Sequence, residues 1–118
     1  MRLWTLLAAV NGFLAVALGA YAAHGLAPEA AMLAERASRY QMAHALALLA
    51  VQPLAAAGNR PAMLAGALFT AGIVLFSGAL YYKALIGPLP VAMLPPSGGM
   101  ALLLGWLALA ASALGRGR

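Results

Sequence analysis

The chain has 118 residues, of which 65% are apolar and only 8% charged, with a mean hydropathy of +0.94. A soluble domain carries about 25% charged residues as its polar coat. This composition cannot supply one, so lipid must cover much of the surface. The absence of Cys excludes disulfides, thiol catalysis and Cys-bound metals. The formal charge of +5 comes from seven scattered Lys and Arg. Without a stripe or cluster they argue against nucleic-acid binding and read as helix-end anchors beside anionic headgroups.

A transmembrane helix needs about 20 mostly apolar residues, and four stretches qualify: 3–23, 40–57, 62–86 and 97–114. The expected fold class is an all-α integral membrane bundle of four such helices in a single domain, residues 1–118. Arg2, the apolar run and Ala20-Tyr21-Ala22 imitate a secretory signal, but the run exceeds an h-region of about 7–15 residues, so an uncleaved first span is expected. Gly25, just after His24, suits a helix end with positive φ. Between the first two spans, Pro28 to Arg39 predicts a short interfacial helix that can run straight into the second span. Pro28 suits its start, Glu29 complements the helix dipole, and Glu35 and Arg39 stand at i and i+4.

Pro53 lies inside the second span and should kink it or end its regular part early. Gly58-Asn59-Arg60-Pro61 predicts a tight turn with Pro61 opening the third helix. Gly87-Pro88 and Pro90 stop that helix. Pro95-Pro96-Ser97 opens the fourth, with Ser97 as the expected N-cap. Four spans put both termini on one side, with Arg2, Arg60, Arg116 and Arg118. The other side holds Arg36, Arg39 and Lys83, and the balance of Lys and Arg places the termini in the cytoplasm. Ala8-Gly12, Ala15-Gly19 and Ala101-Gly105 make small-residue strips that let helix backbones approach closely.

Counted by depth, Asn11, Gln52 and Thr70 fall in one inner layer, where the expected role is an interhelical hydrogen-bond clasp. The outer layer collects Tyr21, His24, Tyr40, Gln41, His44, Ser77, Tyr81, Tyr82 and Lys83. Arg36, Tyr40 and His44 are spaced four apart and share a helix face. An ionisable group at the depth of His44 is a functional-site candidate, although a neutral His can equally link two helices through one donor and one acceptor. If the chain holds a haem or metal, the ligands are His24 and His44, with Met32, Met42, Met93 and Met100 towards the same side. The expected cofactor is none. The spans contain no Asp or Glu, which argues against a cation- or proton-coupled carrier. Phosphate-binding glycine loops, nucleophile elbows and helical zinc motifs are absent. Ser77 with His44 is no triad without a third, orienting group, and the one acid near that layer is Glu35.

Four blocks carry a family resemblance. Gly19-Ala20-Tyr21-Ala22-Ala23-His24-Gly25-Leu26 resembles a Gly-Ala-x-Gly-Ala-His-Gly-Leu signature. Tyr40-Gln41-Met42-Ala43-His44-Ala45-Leu46-Ala47-Leu48 is similar to a second. Leu75-Phe76-Ser77-Gly78-Ala79-Leu80-Tyr81 resembles a Phe-Ser-Gly-Ser-Leu-Tyr motif, and Pro96-Ser97-Gly98-Gly99 with Gly105-Trp106 resembles a Pro-x-Gly-Gly…Gly-Trp ending. Together, in this order and over nearly the whole chain, they resemble the YgdD-like family of small bacterial inner-membrane proteins, a domain of unknown function. Ala22 stands for a glycine and Ala79 for a serine of the family pattern. The resemblance implies four membrane helices in a bacterial inner membrane and no assigned activity. Its polar motif positions map onto His24, Tyr40, Gln41, His44, Ser77 and Tyr81.

The function expected from these features is that of a non-enzymatic accessory or scaffolding membrane subunit, acting as a homo-oligomer or beside another membrane protein. The alternatives are a small-molecule or ion path lined by the outer His/Tyr layer, and haem, metal or quinone binding through His24 and His44.

Overall fold

The structure, a computed structural model, describes residues 1–114. Arg116 and Arg118 of the orientation argument lie outside the described residues. All elements among the described residues are helical: α1 (Leu3–Gly25), α2 (Pro28–Ala56), α3 (Arg60–Gly72), a π-helical turn (Ile73–Ser77), α4 (Gly78–Leu85) and α5 (Leu94–Ala113). The segment from α3 through the π turn to α4 is one continuous rod, Arg60–Leu85. With extents of 50 × 26 × 19 Å, the molecule is about two helix diameters thick in its thinnest direction.

Three rods are long and apolar enough to cross a membrane: Leu3–Gly25, Arg60–Leu85 and Leu94–Ala113. The segment 28–39 is not a separate interfacial helix. It forms the first three turns of α2, a 29-residue helix that carries Glu29, Glu35, Arg36 and Arg39 in its first half and an apolar run in its second. Pro53 does not end α2, which continues to Ala56.

The helix ends follow local chemistry with two departures from the sequence reading. Gly25 ends α1 without positive φ; the chain leaves through extended Leu26 and Ala27, the conformation that Pro28 imposes on the residue before it. Ser97 is not a cap, because α5 already starts at Leu94, with Pro95 and Pro96 in its first turn. Prolines fit there, since their missing N–H groups would have no helical partner anyway. The second turn is as expected: Gly58 takes φ +86°, and the Asn59 side chain caps α3 by accepting from the Ala62 N–H at 3.0 Å. The Asn59 amide also donates to the Ser112 carbonyl at 3.1 Å, fastening the start of α3 to the end of α5.

α1 packs antiparallel along α2, and α5 packs antiparallel along the α3–α4 rod. The core lies where these pairs meet, around Leu48, Val51, Phe69, Ile73 and Leu102, with Ala8, Ala47 and Ala65 filling the narrow places. Glycines set the spacing of the second pair. A Cβ on Gly98 would lie 2.3 Å from the Phe76 nitrogen, and one on Gly105 would lie 2.7 Å from the Phe69 ring. Such backbone proximity gives van der Waals contact, the main attraction between helices in lipid. The π turn coincides with this closest approach, and such turns concentrate at functional sites.

Candidate functional site

Two polar groupings cross the helices. In the first, Tyr81 O–H donates to Gln41 Oε1 at 2.8 Å, Gln41 Nε2 donates to Asn11 Oδ1 at 2.9 Å, and Asn11 Nδ2 donates to the Leu7 carbonyl at 2.9 Å. The chain of donors runs from α4 through α2 to α1. Two serine links flank it: Ser77 Oγ donates to the Ala37 carbonyl and Ser38 Oγ to the Ala15 carbonyl. Ser77 therefore bonds α2 backbone and not His44.

The second grouping is centred on His44. Its Nε2 lies 2.9 Å from Trp106 Nε1 and its Nδ1 lies 2.6 Å from the Tyr40 carbonyl. An indole nitrogen only donates, so His44 Nε2 must accept. The ring is thereby fixed as the neutral tautomer with its proton on Nδ1, which donates to Tyr40 one turn back. An imidazolium would set two N–H groups against each other at Trp106. Around this bond, Tyr40, Phe69, Phe76 and Trp106 form an aromatic cluster: His44 lies 5.5 Å from Phe69 and 5.6 Å from Trp106, and Tyr40 lies 4.7 Å from Phe76, between ring centroids. Among the described residues, every buried side-chain polar atom has a hydrogen-bond partner.

The inner grouping of the sequence reading is divided. Asn11 joins Gln41. Gln52 Oε1 accepts from the Trp4 and Thr5 N–H groups at 3.0 and 3.1 Å, capping α1, which has no side-chain cap of its own. Thr70 bonds back to the Gly66 carbonyl within its own helix. No bond joins the three to one another.

His24 is also separated from the rest. The Ser38–Ala15 and Gln41–Asn11 bonds fix the α1–α2 register, which sets His24 beside the first turn of α2 and His44 beside Ala8. The two are about 20 Å apart along the helices, too far to share a metal or bridge one iron. His24 is exposed, whereas His44 is buried with both nitrogens engaged. Among the described residues, no three His, Asp or Glu come together as metal ligands. Tyr40, Gln41, His44, Ser77 and Tyr81 do converge on one stretch of the bundle. Trp106, the partner of His44, is not among the site residues expected from the sequence, although Gly105-Trp106 is part of the family resemblance.

Of the clefts on the sides of the bundle, two border these groupings. One, of about 520 Å³, lies between α1 and the α3–α4 rod over Trp4 and Thr70. The other, of about 480 Å³, lies between α2 and α5 and is walled by Tyr40, His44, Phe76, Leu103 and Trp106.

The family model described as a protein of unknown function, DUF423, matches residues 18–99. The chain belongs to this family. The matched stretch includes the Gln41–Tyr81 and His44–Tyr40 contacts and the Gly98 approach. Similar proteins extend the likeness over Trp106. A UPF0382 membrane protein of Haemophilus influenzae is 43% identical over 108 residues, covering 88% of this chain and 87% of its own. One from Staphylococcus epidermidis is 36% identical over 118 residues, covering 97% of both chains. The UPF0382 membrane protein YwdK of Bacillus subtilis is 37% identical over 120 residues, covering 97% and 98%. No solved structure matches the chain. With bacterial membrane proteins as relatives and three membrane-length apolar rods, the DUF423 chain is a helical membrane protein of uncharacterised function.

Proposed function

We propose that this protein is a YgdD-like, four-span protein of the bacterial inner membrane that acts by association rather than catalysis, as an accessory or scaffolding subunit that forms homo-oligomers. The observation that carries the reading is the fate of the polar layer. Its hydrogen bonds run between helices or back to their own backbone, and no buried polar side-chain atom among the described residues is left free to act on a substrate.

Register supports α2 as the fourth span. α5 is 20 residues long, about 30 Å, the thickness of the hydrocarbon core. Ser77 bonds Ala37, and Gly98 lies against Phe76; these contacts set Arg36 level with the first turn of α5. At the other end, Asn59 bonds Ser112 beside Arg60. A slab bounded by Arg36 on one face and Arg60 on the other holds the apolar half of α2 and leaves its charged turns at the headgroups. Arg39 lies one turn inside and can snorkel outwards, because helix side chains lean towards the N-terminus. His44 then sits about 12 Å below Arg36, near mid-depth. The N-terminus and the end of α5 fall on the Arg60 side, the cytoplasmic one by the balance of Lys and Arg in the sequence.

The surface proposed for association is the outer face of α1. Leu6, Val10, Phe13, Ala17 and Ala20, spaced three and four apart, are all exposed, Phe13 at 72%. The chain has no Cys, so Phe13→Cys introduces a single reporter. Oxidative crosslinking in native membranes is expected to give a disulfide-linked dimer, whereas Leu107→Cys on α5 stays uncrosslinked. A chain that remains monomeric with a cysteine at any of the five positions, and with an amine-reactive crosslinker, overturns the reading.

A further inference from the structure

We propose that the cleft between α2 and α5 holds an anionic phospholipid, its headgroup phosphate on Arg36 and one acyl chain lying past Tyr40 and Phe76 to Trp106. The inference goes beyond self-association and does not need it, since a strictly monomeric chain would hold the same lipid.

The cleft has the chemistry of a chain-binding site. At about 480 Å³ it lies in the range of roughly 300–1,000 Å³ typical of small-molecule sites. From Pro96 to Trp106 it follows α5 for ten residues, about 15 Å. The ionisable group in its wall, His44, has one nitrogen committed to Trp106 and the other to Tyr40. It therefore offers no free donor or acceptor to a ligand. What remains is aromatic and aliphatic surface, with the Tyr40 hydroxyl as its one polar side-chain group, towards the Arg36 end.

The charge lies at one end only. Arg36, Tyr40 and His44 are four residues apart, so they share a face of α2. Arg36 is exposed two turns from His44, level with the first turn of α5, where the cleft begins. Arg39 stands exposed beside it. A cation above an apolar slot, both aligned along one helix, is complementary to an amphiphile with a negative head and a long tail. A guanidinium also matches phosphate oxygens in a paired geometry.

The two tryptophans, Trp4 and Trp106, make the test direct. With Trp4→Phe, the remaining fluorescence reports on Trp106 in the cleft. The full-length protein is reconstituted in phosphatidylcholine vesicles containing an equal small fraction of brominated phosphatidylglycerol or brominated phosphatidylcholine. A cation near the membrane surface implies a preference for the anionic lipid of about fivefold. Arg36→Gln is expected to bring the two lipids to equal quenching, while Arg60→Gln at the opposite end keeps the preference. Gly99→Leu should reduce quenching by both lipids. Gly99 lines the cleft, and a Cβ there meets only the Phe76 ring at 4.0 Å, so the larger side chain fills the slot without moving backbone. Equal quenching before any change at Arg36, or a preference that survives Arg36→Gln, overturns the proposal. Native mass spectrometry of the unaltered chain from its own membrane gives a check independent of the variants. A retained anionic phospholipid supports the site; a bare chain or a zwitterionic adduct counts against it.

Discussion

Along the α1–α2 seam, side chains reach across to make hydrogen bonds: Gln52 to two N–H groups of α1, Ser38 to the Ala15 carbonyl and Gln41 to Asn11. Along the seam between α5 and the α3–α4 rod, glycines bring the helices together, with Gly72 under Leu102, Gly98 on the Phe76 backbone and Gly105 under the Phe69 ring. The first seam is specified by polar pairing and the second by shape. In lipid the two are not equal. An interhelical hydrogen bond contributes only about 0.6 kcal/mol on average, because the separated helices also find partners. Close packing has no such substitute. The polar seam should therefore fix register, and the glycine seam should carry most of the stability.

Gly98→Ala is the hardest test of that division. The new Cβ would lie 2.3 Å from the Phe76 nitrogen and 2.7 Å from the Leu75 carbonyl carbon. Neither can step aside, so α5 must move out and loosen the Gly72 and Gly105 contacts with it. The expected loss is about 3 kcal/mol, measured by denaturing-detergent unfolding of the full chain in mixed micelles. A loss below about 1 kcal/mol would mean that α5 shifts freely and that shape does not govern this seam.

Gln41→Leu probes the other seam. It removes the Tyr81 and Asn11 bonds together while keeping a side chain of similar bulk. The expected loss in the same assay is about 1 kcal/mol. If it exceeded the Gly98→Ala loss, the polar chain would be the main clamp and the ranking would be reversed.

Much of this was legible in the sequence, and what was not has a physical reason. Apolar runs and the Pro and Gly between them gave the rods, and Gly58-Asn59 gave its turn, because those signals are local. Depth does not follow from the same runs. Counting α2 from Tyr40 sets His24 and His44 in one layer, and Asn11 with Gln52. Hydropathy marks which residues suit lipid, but not where a helix starts, and α2 continues unbroken through its charged turns from Pro28. Its true register pairs Asn11 with Gln41 and leaves His24 beside the far end. Trp106 lies in the middle of an apolar span, where an indole passes for ordinary apolar bulk; only the rotation of α5, which hydropathy does not encode, brings its N–H to His44.

The smallest predicted effect decides which face of α1 is free. Ala8-Gly12 and Ala15-Gly19 look alike in sequence, yet Ala8, Ala15 and Ala22 are buried against α2, Gly19 faces the Ser38 hydroxyl, and Gly12 has nothing within 4 Å of an added Cβ. Gly12→Ala should therefore be neutral or stabilise the isolated chain by up to about 0.5 kcal/mol, through the lost backbone freedom of glycine. Gly19→Ala should cost roughly that much, since its Cβ would displace the Ser38 hydroxyl from the Ala15 carbonyl. Opposite signs in mixed micelles would fix the rotation of α1. Repeating the pair in native membranes sharpens the result: if Gly12→Ala turns unfavourable there alone, a second helix lies against Gly12, about a third of a turn round α1 from the Phe13 face, and the proposed association surface has to be moved.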